Sequence, residues 1–185
     1  MATTMPRRTR ISVERYQKMI ATGVLTKSDR VELIEGEMFD MSPTGSRHAA
    51  ISMNFHELFS PCRGLARVSF GGPVNLGEFS EPQPDVMLLR LREDYKTRVP
   101  AADDVLLAVE ISDSSLAYDR TTKLALYARY GIAEYWIVDL TRECVELYCN
   151  PVSDTYSEKR IATGAKMIAP RALSALQIAV KDIFA

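Results

Sequence analysis

The stretch from Val105 to Leu140 constrains this chain more than any other. It opens with VLLAVEIS (105–112), a continuous apolar run suited to a strand buried on both faces. A polar loop, SDSSLAYD (112–119), follows. RTTKLALYARYG (120–131) reads as a helix ended by Gly131. AEYWIVDL (133–140) is a second apolar strand. A strand, a helix and a strand in one sheet make a right-handed parallel crossover in nearly every known case. The expected class is therefore α/β, a mixed sheet with helices packed on it.

The remaining segments fit that frame. ISVERYQKMIATG (11–23) predicts a short helix, with Ser12 as its N-cap and Gly23 as its terminator. RVELIEGEMFDMSP (30–43) alternates around Glu35-Gly36, which suits a strand, a tight turn and a strand. GSRHAAISMNFHELFSP (45–61) carries Ile51, Phe55, Leu58 and Phe59 at helical spacing. ARVSFGGPVNLGEFSEPQPDVMLLR (66–90) reads as two or three strands, broken at Gly71-Gly72 and around Pro82 and Pro84. CVELYCN (144–150) is a strand and Thr155–Ile161 a weak one. The terminal segment has no pattern that types it.

A length of 185 residues suits one domain, 1–185, with residues 1–10 as a flexible arm. Net charge is −1 and the isoelectric point is near 6.2, which argues against holding nucleic acid by bulk charge alone. Arg7, Arg8 and Arg10 make either a short basic arm or a solvated terminus. There is no apolar run long enough to span a bilayer and no signal-peptide pattern, so a soluble cytoplasmic protein is expected. Cys62, Cys144 and Cys149 are odd in number and lack CxxC spacing. Reduced thiols are expected rather than disulfides or a zinc site.

Two acids stand out against this background. QPDVMLLR (83–90) and LLAVEIS (106–112) are apolar strands, yet they hold Asp85 and Glu110. Burying an unpaired carboxylate is costly. Asp85 enters its strand just after Pro84, and Glu110 lies near the end of its own, so both sit where a sheet opens to solvent. Each acid alone has an ordinary alternative, a hydrogen-bond or ion-pair partner at a strand end. If the strands are neighbours the carboxylates converge, and oxygen ligands of this kind suit Mg²⁺ or Mn²⁺. Lys123 lies on the following helix, with Tyr127 and Tyr130 on the same side by spacing. A lysine near a metal-bound phosphate can orient water or offset charge, although a lone helix lysine is usually solvated.

Pro84-Asp85 followed by Glu110-Ile111-Ser112 resembles the PD-(D/E)xK nuclease signature, with Ser112 at the position of the motif lysine. In some members of that superfamily the lysine sits on the next helix, where this chain has Lys123. More narrowly, VELIEGEM, GSRHAAI, PQPDVMLL, VEISDSS, the Lys123–Tyr127 helix and GIAEYWIVD resemble the Uma-type family of restriction-endonuclease-like proteins, in the family's order. The resemblance implies a restriction-endonuclease-like fold and Mg²⁺-dependent phosphodiester hydrolysis, with DNA as the partner. It makes Asp85 and Glu110 metal ligands, the Ile111 carbonyl a third oxygen and Lys123 the catalytic lysine. Glu35 becomes an additional acid near the metal, against the equal alternative of a solvated turn residue. Glu32 and Glu37 are weaker candidates.

His48 begins the second helix. Its imidazole suits phosphate contact or proton transfer, against local capping or packing, and the resemblance favours the site. His56 falls among apolar neighbours and reads as structural. Ser46 suits helix capping, Trp136 core packing, and Asp139 a backbone or arginine partner. Two function classes follow. One is a metal-dependent nuclease, which would favour a symmetric dimer if it cuts both strands of a duplex with one site per chain. The other is a non-catalytic module of the same fold that binds nucleic acid or a partner protein, motivated by Ser112 and the near-neutral charge.

Overall fold

Alternating apolar residues around Glu35-Gly36 do form a hairpin. β1 (Val31–Ile34) pairs antiparallel with β2 (Glu37–Asp40), Ile34 opposite Glu37. Glu35 and Gly36 both take positive φ, 50° and 85°, as the right-handed twist of a two-residue hairpin turn demands. The protein is seen here as a computed structural model describing residues 8–26, 28–41, 43 and 45–185. Arg7 of the basic stretch lies outside the described residues. The chain divides into two compact units, one of residues up to 41 with 75–82, the other of 42–74 with 83–185.

In the first unit, α1 (Val13–Ala21) starts at Ser12, whose hydroxyl accepts the Arg15 amide at 3.3 Å. Tyr16, on its buried side, donates its hydroxyl to the Val31 carbonyl at 2.7 Å. The chain before α1 is laid against the hairpin turn. Arg10 donates through Nε to the Glu35 carbonyl at 2.7 Å, and the Ile11 amide donates to the Gly36 carbonyl at 2.9 Å. A Cβ on Gly36 would stand 2.6 Å from the Arg10 Cβ. Positive φ and this close approach together predict that Gly36→Ala costs about 1–3 kcal/mol. Urea unfolding of the full chain checks this, and an unchanged midpoint would contradict it.

The second unit is built on a six-stranded sheet. Its order is β3 (Arg67–Phe70), β4 (Val86–Leu89), β5 (Val105–Ser112), β6 (Glu134–Asp139), β7 (Cys144–Val152) and β8 (Thr155–Thr163). All neighbours are antiparallel except β5 and β6, which are parallel as the crossover requires. The expected mixed α/β sheet is present. One sheet face is apolar. There Leu107, Val109 and Trp136 pack against Ile51, Phe55 and Phe59, and the last of these follows α2 (Ser46–Leu58) directly. Each such side chain, fully buried, contributes roughly 1.5–3 kcal/mol.

The other face carries the polar residues, and a helical segment covers it. That segment begins earlier than the sequence suggested. α3 (Leu116–Tyr118) rises out of the stretch read as a loop, Asp119–Lys123 forms a π turn, and α4 (Leu124–Arg129) completes it. The short Ser/Asp run hid the start, because these side chains compete for backbone partners and look like loop composition. Lys123 therefore closes a π turn rather than lying in the first turn of a regular helix. Gly131, at φ 74°, ends the segment as expected.

The untyped tail is ordered by pairing. β9 (Met167–Ile168) runs antiparallel to β10 (Ile178–Ala179), and α5 (Val180–Ile183) follows. Ile168, Ile178, Val180 and Ile183 join the apolar core. Asn54 of α2 donates to the Ile183 and Ala185 carbonyls, at 3.0 Å each. Among the described residues no helix is long and apolar enough to cross a membrane.

Candidate active site

β4 and β5 are neighbours, with Val86 opposite Val109. Asp85 and Glu110 thus come to the same end of two adjacent strands. Asp85 precedes the first paired residue of β4, so its side chain is not committed to either sheet face. Its Oδ2 accepts the Ile111 amide at 2.7 Å, and its Oδ1 lies 3.0 Å from His48 Nε2. His48 is in the first turn of α2, which brings the helix start to this strand end. The Ser112 carbonyl accepts the Leu140 amide at 3.0 Å and so faces β6. Alternation then turns the N–H and C=O of Ile111 to the opposite side, toward β4 and Asp85.

Glu110 is 3% exposed. Its Oε1 accepts from Lys123 Nζ at 3.0 Å and from the Tyr127 hydroxyl at 2.7 Å. The two donors are four residues apart and project from the same side of the helical segment. Lys123 is itself 4% exposed, so a desolvated ammonium faces a desolvated carboxylate. Such a pair persists only when each charge is compensated. Tyr130, which spacing put on the same side, instead follows α4 at 36% exposure.

The structure adds Asp119, which the sequence reading missed. It is 2% exposed, and its Oδ2 accepts hydroxyls from Ser112 at 2.7 Å and Ser115 at 2.6 Å. Burial pushes its carboxyl upward, the nearby Lys123 charge and the two serines oppose that, and the Asp85 charge adds to it. Asp119 is thus electrostatically part of the Asp85–Lys123 group. The available signal was its four-residue spacing to Lys123 within one polar stretch. Ser112, fully buried where the motif lysine was expected, is engaged by Asp119.

The structure thus places two sets at this end of the sheet, Asp85 with His48 and the Ile111 amide, and Glu110 with Lys123 and Tyr127. Glu35 belongs to the first unit, exposed at the hairpin turn. In that unit Glu32 is buried, and Glu37 is exposed beside Arg8. Trp136 is buried and donates Nε1–H to Glu134 at 2.8 Å. Asp139 meets both partner types foreseen: Arg120 at 3.1 Å, and the Thr141 and Arg142 amides at 3.1 and 3.0 Å. Arg120 also reaches Glu146, which Lys159 approaches at 2.9 Å. These ion pairs tie the π turn to β6 and β7.

Among the described residues no three His, Cys, Asp or Glu side chains gather closely enough to hold a metal ion. The donors offered at the strand ends are two carboxylates and a backbone carbonyl. All are hard oxygens, and Mg²⁺ commonly takes one or two protein carboxylates and completes its shell with water and phosphate. The residues present fit that ion.

A family model, Uma2, described as "Putative restriction endonuclease", matches residues 13–181. The chain belongs to the Uma2 family. The fold of this Uma2 protein agrees with a solved structure. A crystal structure described as a "putative nuclease belonging to DUF820" from Anabaena variabilis is similar to it with a TM-score of 0.74 and 18% identity. That similarity covers 94% of this chain and 97% of the other. The expected restriction-endonuclease-like architecture is thus the observed one. No curated protein matches the sequence.

Proposed function

We propose that the chain is a Mg²⁺- or Mn²⁺-dependent endonuclease that hydrolyses phosphodiester bonds of DNA. What supports this reading is that Asp85 and the Glu110–Lys123 pair lie at the same end of the neighbouring strands β4 and β5. Asp85, Glu110 and the Ile111 carbonyl would hold the metal. When bound, it would supply Lewis-acid charge to a phosphoryl oxygen and lower the pKa of water.

The chain's own groups do the rest. His48 and the Ile111 amide hold Asp85 by its two oxygens, and Tyr127 fixes Glu110. Lys123, an ammonium in a dry setting, offsets the negative charge that develops on phosphorus as water attacks. In that hydrolysis one new P–O bond forms to water, one ester P–O bond breaks, and the water proton ends on the departing oxygen. The Lys123 charge favours the ionised form of Asp119 against its burial. Glu35 remains a proposed further acid. Action in the cytoplasm belongs to the same proposal, as does a symmetric dimer if both strands of a duplex are cut, because one site per chain must then act twice.

The test is cleavage of plasmid and oligonucleotide DNA with Mg²⁺ or Mn²⁺, comparing wild type with Asp85→Ala and Lys123→Ala. Wild type should cut, and each variant should be slower by about 10²-fold or more. Equal cutting by all three, or none by the wild type on any substrate, would overturn the reading in favour of the non-catalytic module.

A further inference from the structure

α2 does more than bring His48 to Asp85. Two turns further on, His56 lies flat on Phe70, with ring centroids 3.5 Å apart and planes 8° from parallel. Sequence placed His56 among apolar neighbours, yet it is exposed. Phe70 ends the edge strand β3 opposite Val86, the residue after Asp85. The next amide, Gly71, donates to the Asp85 carbonyl at 2.9 Å. The stacked rings therefore adjoin the candidate site through the same helix and the same strand end.

A cleft of about 530 Å³ opens at these rings, lined by His56, Phe59, Arg63, Arg67, Phe70 and Leu91 with smaller neighbours. Its size is in the range of small-ligand sites. Two arginines and a histidine line it, and no carboxylate does. Arg67 has an ion pair with Glu93 at 3.3 Å, but both side chains are exposed, so the pair is weak and exchangeable. Aromatic faces beside arginines complement a base and its phosphate, whereas a base inside a duplex has both faces covered by its neighbours.

We infer that this cleft holds an unpaired nucleotide of the substrate strand flanking the scissile phosphate, its base against the His56–Phe70 stack and its phosphate at Arg63 and Arg67. This rests on the nuclease reading of the Asp85–Glu110 site and deepens it. The substrate class becomes single-stranded or locally unpaired nucleic acid. The neutral overall charge is then no obstacle, because stacking and two local arginines replace a broad basic face.

Binding is separated from cleavage by fluorescence anisotropy of a labelled short oligothymidylate, without divalent metal, beside its duplex and an abasic strand of equal length. Wild type should bind the single strand in preference to the other two. His56→Ala should weaken single-strand binding roughly 5- to 150-fold and leave duplex binding unchanged. Arg63→Ala should flatten the log Kd against log salt slope by about 0.7. Phe70→Leu serves as a second stacking variant, and thermal melts check that all are folded. If the variants bind like wild type, or duplex and abasic strands bind as tightly as the single strand, the inference falls. Should Lys123-dependent cleavage persist in that case, only the cleft assignment is lost. Should His56-dependent binding appear with no cleavage, the nuclease reading is lost and the cleft stands.

Discussion

Glu110→Ala is expected to destabilise the fold by about 3–5 kcal/mol, the range for stripping one partner from a buried ion pair. It removes the carboxylate that the buried Lys123 ammonium and the Tyr127 hydroxyl both donate to. Glu110→Ala combined with Lys123→Met should recover most of that loss, because the whole pair is then replaced by apolar groups. Neither protein should support metal-dependent cleavage. Urea midpoints for wild type, both single variants and the double variant form a mutant cycle. Additive effects would mean that the 3.0 Å contact carries no coupling. Recovery of stability without recovery of cleavage would separate the pair's structural role from its chemistry.

Arg120→Ala has the next largest effect, about 3 kcal/mol, or roughly 6–12 °C in Tm for a chain of this size. One guanidinium serves two buried carboxylates, Asp139 and Glu146. Asp139 keeps the Thr141 and Arg142 amides, and Glu146 keeps Lys159 and Tyr148, so the loss stays below complete unfolding. The effect should depend on pH in a definite sense. Burial works to raise the Glu146 carboxyl, but Arg120, Tyr148 and Lys159 overcome it and hold it down at about 2. A depressed carboxyl stabilises the fold above its unfolded pKa, near 4.3, and that contribution is lost as pH falls toward the folded value. The gap between wild type and Arg120→Ala should therefore be full at neutral pH and shrink between about pH 5 and pH 2. A gap that widens on acidification would show that Glu146 is not what Arg120 stabilises.

The sheet and its parallel crossover were legible because β5 and β6 are long, apolar and joined by a segment whose second half, α4, has an ordinary helical pattern. That Asp85 and Glu110 would lie at one end of neighbouring strands was legible for a related reason: an acid in an apolar run marks where a strand meets polar partners. Asp119 was not legible. It lies in a π turn, whose wider winding has no 3.6-residue signature, and its neighbours Asp113, Ser114 and Ser115 have the composition of a loop. β8 read as weak because it is an edge strand, with Glu158, Lys159 and Arg160 facing solvent in place of a clean alternation. β9 and β10 hold two residues each, too few for any period, and only their pairing reveals them. The stacking of His56 on Phe70 was not legible, because helical spacing reports neighbours along its own helix and not an aromatic partner on a distant strand.

The π turn also bears on the order in which the molecule can assemble. The contacts that join Ile111 to Asp85, Lys123 to Glu110 and Tyr127 to Glu110 span 26, 13 and 17 residues of chain. Those that hold α2 to the chain terminus span 129 and 131. Closing short segments sacrifices less chain entropy than closing long ones. The carboxylate–lysine group can therefore be gathered by its own neighbourhood, whereas the two Asn54 bonds wait for residues 183 and 185.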